Sequence, residues 1–316
     1  MKIVYITGCL GFIGSYVTRK CLDLGWRVFG IDKITYAANI SVLDTFKKYK
    51  NFRFEEIDIK DMKFLHDCDY VINTAAESHV GNSIINSDDF INSNVLGTKN
   101  LLELVRNRPQ NEGGRPVFFH FSTDEVYGDI SEGIHTEEDL LKPSNPYSAS
   151  KAAADMLILA WARTYGIDYV ILRPTNNYGI GQYPEKLIPL SIKNLNRGKK
   201  IRLHNMGEPI RNWLHVDDTA EAVMTIIDSG EKNQIFNIAG GFEQKNIVTI
   251  EKVIREYYKI YARWEEYIDL SYNRVGQDVR YALDDSNLRS LVWEPKKVFD
   301  EEIKSIVRYY KNKFVW

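Results

Sequence analysis

At 316 residues the chain is about twice a usual domain length, and its 44% hydrophobic and 27% charged residues exclude wholesale disorder and any collagenous or coiled-coil design. Forty-one basic against forty-three acidic side chains leave a net charge of −2. No overall basic field therefore exists to hold nucleic acid or an anionic membrane, although a local anion site is allowed.

The chain opens MKIVYITG, without the basic, long apolar and cleavage segments of a secretory signal. Short, continuously apolar runs predict strands at Ile3 to Thr7, Arg27 to Ile31, Phe52 to Ile57, Tyr70 to Thr74, Val117 to Ser122 and Tyr169 to Arg173. Helix-length segments lie between them at Phe12 to Leu24, Asp88 to Arg108 and Pro146 to Tyr165. Strand and helix alternating in this way predict right-handed crossovers and a parallel sheet covered on both faces. Ligands of such a sheet bind beyond the carboxyl ends of its strands.

After Arg173 the pattern loosens into turns and shorter elements, and a smaller lobe is expected from Tyr178 onwards. The most apolar later run, Met156 to Ala162, is far shorter than the roughly 20 residues of a membrane span. Cys9, Cys21 and Cys68 are odd in number and scattered, which points to buried thiols in a reducing, cytoplasmic setting. The six histidines show no paired ligand spacing, so no metal is expected.

TGCLGFIGS places Gly8, Gly11 and Gly14, with Phe12 and Ile13 between the last two, where the first strand turns into its helix. Glycines there permit a tight turn, close approach of backbone to a pyrophosphate and close packing of helix on strand. The helix amino terminus then faces the anion. Asp32, eighteen residues past Gly14 at the end of the second strand, can accept both ribose hydroxyls and repels a 2′-phosphate. The cofactor is therefore read as NAD, Lys33 beside Asp32 being the one cation that could argue for a phosphate. Asp58 and Ile59 after the third strand, and Ala75, Ala76 and Glu77 after the fourth, are the other places where the chain should pass the cofactor. The fold class that follows is α/β: a Rossmann-type doubly wound parallel sheet over residues 1–177, carrying the NAD site and the catalytic pair below, with a smaller substrate-binding lobe over 178–316.

FSTDEVYG leaves the fifth strand and PYSASK enters a helix. Tyr147 and Lys151 are four apart and share a helix face, so Lys151 is expected to lower the phenol's pKa and make a tyrosinate base available.

The glycine cradle, Thr123, and Tyr147 with Lys151 resemble the extended short-chain dehydrogenase/reductase family. Within it the chain is most similar to the nucleoside-diphosphate-glucose 4,6-dehydratases, of the dTDP-glucose and UDP-glucose kinds. The likeness spans nearly the whole chain and includes IDKITYAAN, AAESHV, STDEVYG, PYSASKAAAD, NNYG, PEKLIPL, IRNWLHVDD and QDVRYALDD. Asp124-Glu125 directly after Thr123 is its most diagnostic feature.

The resemblance implies that Tyr147 takes the 4-hydroxyl proton while hydride moves to NAD. Glu125 would then remove the C5 proton, Asp124 would protonate the departing C6 oxygen, and hydride would return to C6. It also implies substrate contacts at Ser78, Thr123, Asn176, Lys186, Leu187, His204, Arg211, Asn246 and Arg274.

The chain departs from the dTDP pattern at Gly81-Asn82, His204 and Gln277, which leaves the nucleotide open between UDP and dTDP with a lean towards UDP. A nucleotide-sugar 4-epimerase and a non-catalytic NAD-binding protein are the alternative readings. The helix from Pro146 is apolar nearly all round, so one face should meet the sheet and another a second subunit, giving a homodimer.

Overall fold

The structure is a computed structural model that describes residues 1–108, 114–259, 263–273 and 278–313. Its strands, in chain order, are β1 (Ile3–Thr7), β2 (Arg27–Asp32), β3 (Phe52–Glu56), β4 (Tyr70–Asn73), β5 (Val117–Phe121), β6 (Tyr169–Pro174), β7 (Asn176–Tyr178), β8 (Ile201–His204), β9 (Ile210–His215), β10 (Gln234–Ile238), β11 (Glu243–Lys245) and β12 (Ile268–Tyr272). The α-helices are α1 (Phe12–Asp23), α2 (Ile40–Phe46), α3 (Val80–Ile85), α4 (Asp88–Phe90), α5 (Thr98–Arg106), α6 (Pro146–Tyr165), α7 (Leu187–Asn196), α8 (Val216–Ser229), α9 (Asn246–Tyr258), α10 (Ser286–Arg289) and α11 (Phe299–Asn312).

Seven strands form one parallel sheet in the order β10-β6-β5-β4-β1-β2-β3. The chain reverses direction across the sheet between β1 and β4, and a crevice opens at that switch point. One face is covered by α5 and α6, with Leu101, Val105 and Ile158 packed on Val71 and Phe118. The other is covered by α1 and α8, where Val17, Val223 and Ile226 meet Val4, Val28 and Phe236. The second half of the chain thus returns to the main sheet, supplying α8 and the edge strand β10. A separate core joins α7, α9 and α11 through Ile188, Ile192, Ile250, Ile254, Ile303 and Val307.

The expected strands match β1 to β6 to within a residue at each end; all but the edge strand β3, whose FRFEE is largely exposed, are mostly buried apolar runs. The helix expected across Asp88 to Arg108 differs: after α4 the chain widens into a π-helical turn, Ile91–Gly97, before α5 begins. The widening turns Asn94 inward and fully buries it. Its amide then accepts from Glu77 N at 2.9 Å and donates to Glu77 O at 3.0 Å and Ser150 Oγ at 2.9 Å. A helical irregularity thereby ties the loop after β4 to α6, the helix that carries Tyr147 and Lys151.

Candidate active site

One cleft runs along the carboxyl ends of the strands and is lined by Gly8, Gly11, Phe12, Ile13, Gly14, Asp32, Lys33, Asp58, Ile59, Ala75, Ala76 and Glu77 at one end. At the other it is lined by Ser78, Thr123, Asp124, Glu125, Tyr147, Lys151, Asn176 and Lys186. Twenty residues scattered over the first 186 are therefore brought to one surface by the sheet's topology.

The first end fits a dinucleotide. Gly8 has a φ of +69°, and a Cβ there would lie 2.7 Å from Ala75 N; one on Gly14 would lie 2.1 Å from Gly8 O. Both contacts are closer than any side chain tolerates, so backbone alone walls the turn. Gly11 precedes α1 without a side-chain cap, which leaves the first helical amides for an anion. Asp32, buried, accepts from Leu10 N at 3.0 Å and Ile34 N at 2.9 Å. Those two bonds aim the carboxylate, and each oxygen keeps a lone pair for a ribose hydroxyl. Lys33 sits 3.6 Å from both Asp58 and Glu77. Asp58 and Glu77 pair with the one ammonium, and with Asp32 beside them they leave a negative rim that disfavours a 2′-phosphate, so the residues fit NAD.

At the other end β5 stops at Phe121, and Thr123 caps the 3₁₀ turn Asp124–Tyr127, its Oγ1 accepting from Glu125 N. The same hydroxyl donates to Asp124 Oδ1 at 3.0 Å, while Asp124 Oδ2 is buried without a hydrogen-bond partner. Opposite, α6 starts at a capping box of Asn145 and Ser148 with Pro146 in its first turn. Tyr147 and Lys151 therefore sit in the rigid first two turns of a helix whose start is fixed. Asn145 Nδ2 also donates to Glu125 Oε2 at 3.3 Å, joining the helix start to the acid pair.

Burial, and then the Glu125 charge, push the Asp124 carboxyl up to about 7. Glu125 is raised by burial as well, against the pull of Asn145, Arg211 and Lys186. Burial pushes the Lys151 ammonium down to about 8, Asp155 opposing it. The Tyr147 phenol is raised, first by burial and then by the Glu125 charge, with the Thr123 hydroxyl pulling the other way. Lys151 is not among the charges that bear on the phenol here; its Nζ lies 3.2 Å from His120 Nε2.

Asp124 has a raised folded-state pKa, so its contribution to stability is complete below about pH 4 and is lost as pH rises through about 7. Asp124→Asn is therefore expected to raise the melting temperature relative to the unsubstituted chain at pH 8 but not at pH 4. Equal shifts at both pH values would contradict the burial argument.

Arg211 does not reach the cleft wall. Its guanidinium donates to Ile210 O and Asp278 O, and lies 4.9 Å over the Tyr281 ring. Its charge nevertheless acts on Asp124 and Glu125. Leu187, His204 and Asn246 are not brought to the wall either. Leu187 packs on the second core. His204 falls on the exposed side of β8, whose Ile201 and Leu203 point inward. Asn246 begins α9, its amide nitrogen of the backbone bonded to Pro209 O. Arg274 and Gln277 lie outside the described residues.

Sequence reasoning missed Asn145, Asp278 and Tyr281. Tyr281 donates its hydroxyl to Asp278, both buried; the Asp278 charge bears on Glu125, and the Glu125 charge on the Tyr281 phenol. The signal for Asn145 was present as a cap residue before Pro146; Tyr281 lay in a quoted motif but came to the site only through folding. Among the described residues no group of three or more His, Cys, Asp or Glu could hold a metal ion, and no helix is long and apolar enough to cross a membrane.

The NAD dependent epimerase/dehydratase family matches residues 4–239. The chain is 37% identical to the dTDP-glucose 4,6-dehydratase of Escherichia coli, over 100% of this chain and 95% of that protein. It is 36% identical to the low-salt glycan biosynthesis protein Agl12 of Haloferax volcanii, over 97% and 98%. Among solved structures, the dTDP-glucose 4,6-dehydratase of Streptomyces venezuelae, crystallised with NAD, superposes with a TM-score of 0.91 at 35% identity, covering 99% of this chain and 97% of that one.

Proposed function

The chain belongs to the NAD-dependent epimerase/dehydratase family, and from that premise we propose that it removes water from a nucleoside-diphosphate-glucose to give the 4-keto-6-deoxy sugar nucleotide. The observation that carries this reading is the pair Asp124 and Glu125 facing Tyr147 and Lys151 across one cleft. A 4-epimerase has no use for two carboxyls at this end of the cleft; a dehydratase needs one to take a proton and one to give it.

NAD bound in the glycine cradle supplies the oxidation at C4 and the matching reduction at C6. The chain's own residues handle the protons. Tyr147, whose phenol lies where the Thr123 hydroxyl lowers its pKa and burial raises it, takes the proton of the 4-hydroxyl once the positive charge of bound NAD opposes that burial. A ketone at C4 acidifies the proton at C5 and makes the C6 hydroxyl a β leaving group. Glu125 removes the C5 proton and Asp124, whose raised pKa of about 7 keeps a large share of it protonated near neutrality, delivers a proton to the departing oxygen; the proton held by Glu125 returns to C5 when C6 is reduced. Asn176 and Lys186 line the sugar-nucleotide end of the cleft, and Lys186 Nζ already donates to Ser78 O at 2.9 Å. Arg211 contributes positive charge from behind the acid pair.

The base is settled by incubating the chain and NAD with UDP-glucose and dTDP-glucose separately and following loss of one water by mass spectrometry. The faster substrate names the base. A mass-neutral change in the sugar would instead identify an epimerase, and NAD binding without any turnover would identify a silent binding protein.

A homodimer is part of the same proposal. Ile84 and Ile85 on α3, Ile91 and Leu96 in the π-helical turn and Met156 on α6 are 45–85% exposed, and α3 and the turn both pack beside α6. A monomer of this size gains by covering such a patch with its own copy. Sedimentation at micromolar concentration should show a dimer, and a charge at Ile85 (I85K) should shift it towards monomer; a monomer from the start would reject the proposal. The three cysteines are all unpaired, which supports a reducing, cytoplasmic setting.

A further inference from the structure

Thr7, Asn73 and His120 stand in one row across the neighbouring strands β1, β4 and β5, and Lys151 of α6 closes the row. All four are 0–2% exposed. The Asn73 amide lies 2.7 Å from Thr7 Oγ1 on its oxygen side, and on its nitrogen side 3.2 Å from Thr98 Oγ1 and 3.1 Å from His120 Nδ1. His120 Nε2 then lies 3.2 Å from Lys151 Nζ. Of these groups only Lys151 enters the chemistry derived above, and a buried polar chain that runs from Thr7 and Thr98 through Asn73 and His120 and ends on that lysine calls for a physical reason.

Counting protons supplies it. An ammonium only donates, so at 3.2 Å the imidazole must offer it a lone pair on Nε2. A neutral imidazole does so only when Nδ1 carries the hydrogen, and that hydrogen needs an acceptor. The amide oxygen of Asn73 provides one after a half-turn of the amide, which exchanges only its oxygen and nitrogen. The Thr98 hydroxyl then donates to the same oxygen and the amide nitrogen donates to Thr7 Oγ1.

A charged imidazole is excluded, since it would face the ammonium at hydrogen-bond distance; burial and Lys151 together hold the ring well below its ordinary pKa. The charged or titratable groups around the row are Lys151, Tyr147 and Asp155 on α6 and Arg173 on β6. Asp155 Oδ2 is taken by Ser122 and Arg173. Its Oδ1 is buried without a hydrogen-bond partner, 4.0 Å from His120 Nε2, and its charge favours an ammonium nearby without replacing the imidazole as acceptor.

We infer that His120 is a positioning residue: a neutral imidazole, held in one tautomer by Asn73, whose Nε2 accepts a hydrogen bond from Lys151 and so holds a buried ammonium in place one helical turn on from Tyr147. The inference rests on the proposed roles of Tyr147 and Lys151, and it assigns to the row the task of keeping one proton on Lys151.

The test has two independent readouts. Nitrogen-15 spectra of the full chain labelled at histidine, assigned with His120→Gln, should show a ring that stays neutral and protonated at Nδ1 across neutral and mildly alkaline pH, with or without NAD. Hydrogen on Nε2, or a ring that titrates in that range, overturns the inference whether or not the chain turns over a sugar nucleotide. In activity, His120→Leu should lower kcat roughly tenfold, the worth of one hydrogen bond to a charged group, with KM little changed. Its alkaline limb should move to lower pH, because an ammonium without its acceptor gives up its proton sooner. His120→Gln, which restores a neutral acceptor, should recover most of both. An alkaline limb that stays in place in His120→Leu, or a Gln variant no better than Leu, overturns the inference. If His120→Leu does not fold, the spectra of the unsubstituted chain decide.

Discussion

Replacing Glu125 by Gln is expected to slow water loss by about 10²–10⁴-fold, the range over which a positioned general base contributes. Gln keeps the volume and can still meet the Asn145 side chain that now donates to Oε2, so the acid pair's surroundings remain intact. What disappears is the only function the reading gives Glu125, accepting the C5 proton. Oxidation at C4, which Tyr147 serves, does not need it, so exchange of the C5 hydrogen with solvent should fall in parallel with water loss while NAD binding is unchanged. Water loss at the original rate in Glu125→Gln would remove this residue from the mechanism. Asp124→Asn makes a useful companion, since the loss of a proton donor should leave C5 exchange largely in place.

The second large effect concerns stability. Arg173 on β6 is 2% exposed, and its Nε and Nη2 both donate to Asp155 Oδ2, at 3.1 and 3.0 Å. Ser122 Oγ shares that oxygen, and Arg173 Nη1 donates to Tyr127 OH at 2.7 Å. Asp155→Ala leaves a guanidinium buried without its counter-charge, which typically costs about 3–5 kcal/mol. Because Arg173 also meets Tyr127, the cost should sit towards the lower end. Urea unfolding measures it, and a double replacement, Asp155→Leu with Arg173→Met, should recover part of the loss because the guanidinium is then gone, the remainder being the support that the Asp155 charge gives the buried Lys151 ammonium. A single-variant cost below about 1 kcal/mol would mean that the side chains find new partners, against the usual behaviour of such pairs.

The parts of the site that the amino-acid order exposes are those whose chemistry constrains neighbours along the chain. The glycines of the first turn, Thr123 beside its acid pair, and Tyr147 a helical turn before Lys151 are each local. The strands β1, β2, β4, β5 and β6 were legible for a related reason, being short, mostly apolar runs between turns. What stayed hidden depends on register. Nothing in the order of residues says that Asn73 will lie beside His120, because that follows from the pairing of β4 with β5. The π-helical turn was equally hidden, since INSNVLG has an ordinary helical pattern and only the fit of Asn94 against Glu77 and Ser150 reveals the extra residue. His204 illustrates the converse: the resemblance pointed to it, but the alternation of β8 sends it outward.

The edge strand β10 pairs with β6 only after some sixty residues of intervening chain, through Gln234 opposite Val170 to Ile238 opposite Pro174. During synthesis the ribosome therefore releases β6 long before its neighbour exists. Until then one margin of the sheet keeps open backbone groups, and the surface that α8 will cover remains wet. An open margin of this kind is a template for pairing with the wrong chain. The nascent first half is consequently the aggregation-prone stage of this protein's life, and a fragment ending near residue 177 should be recovered insoluble or bound to chaperones.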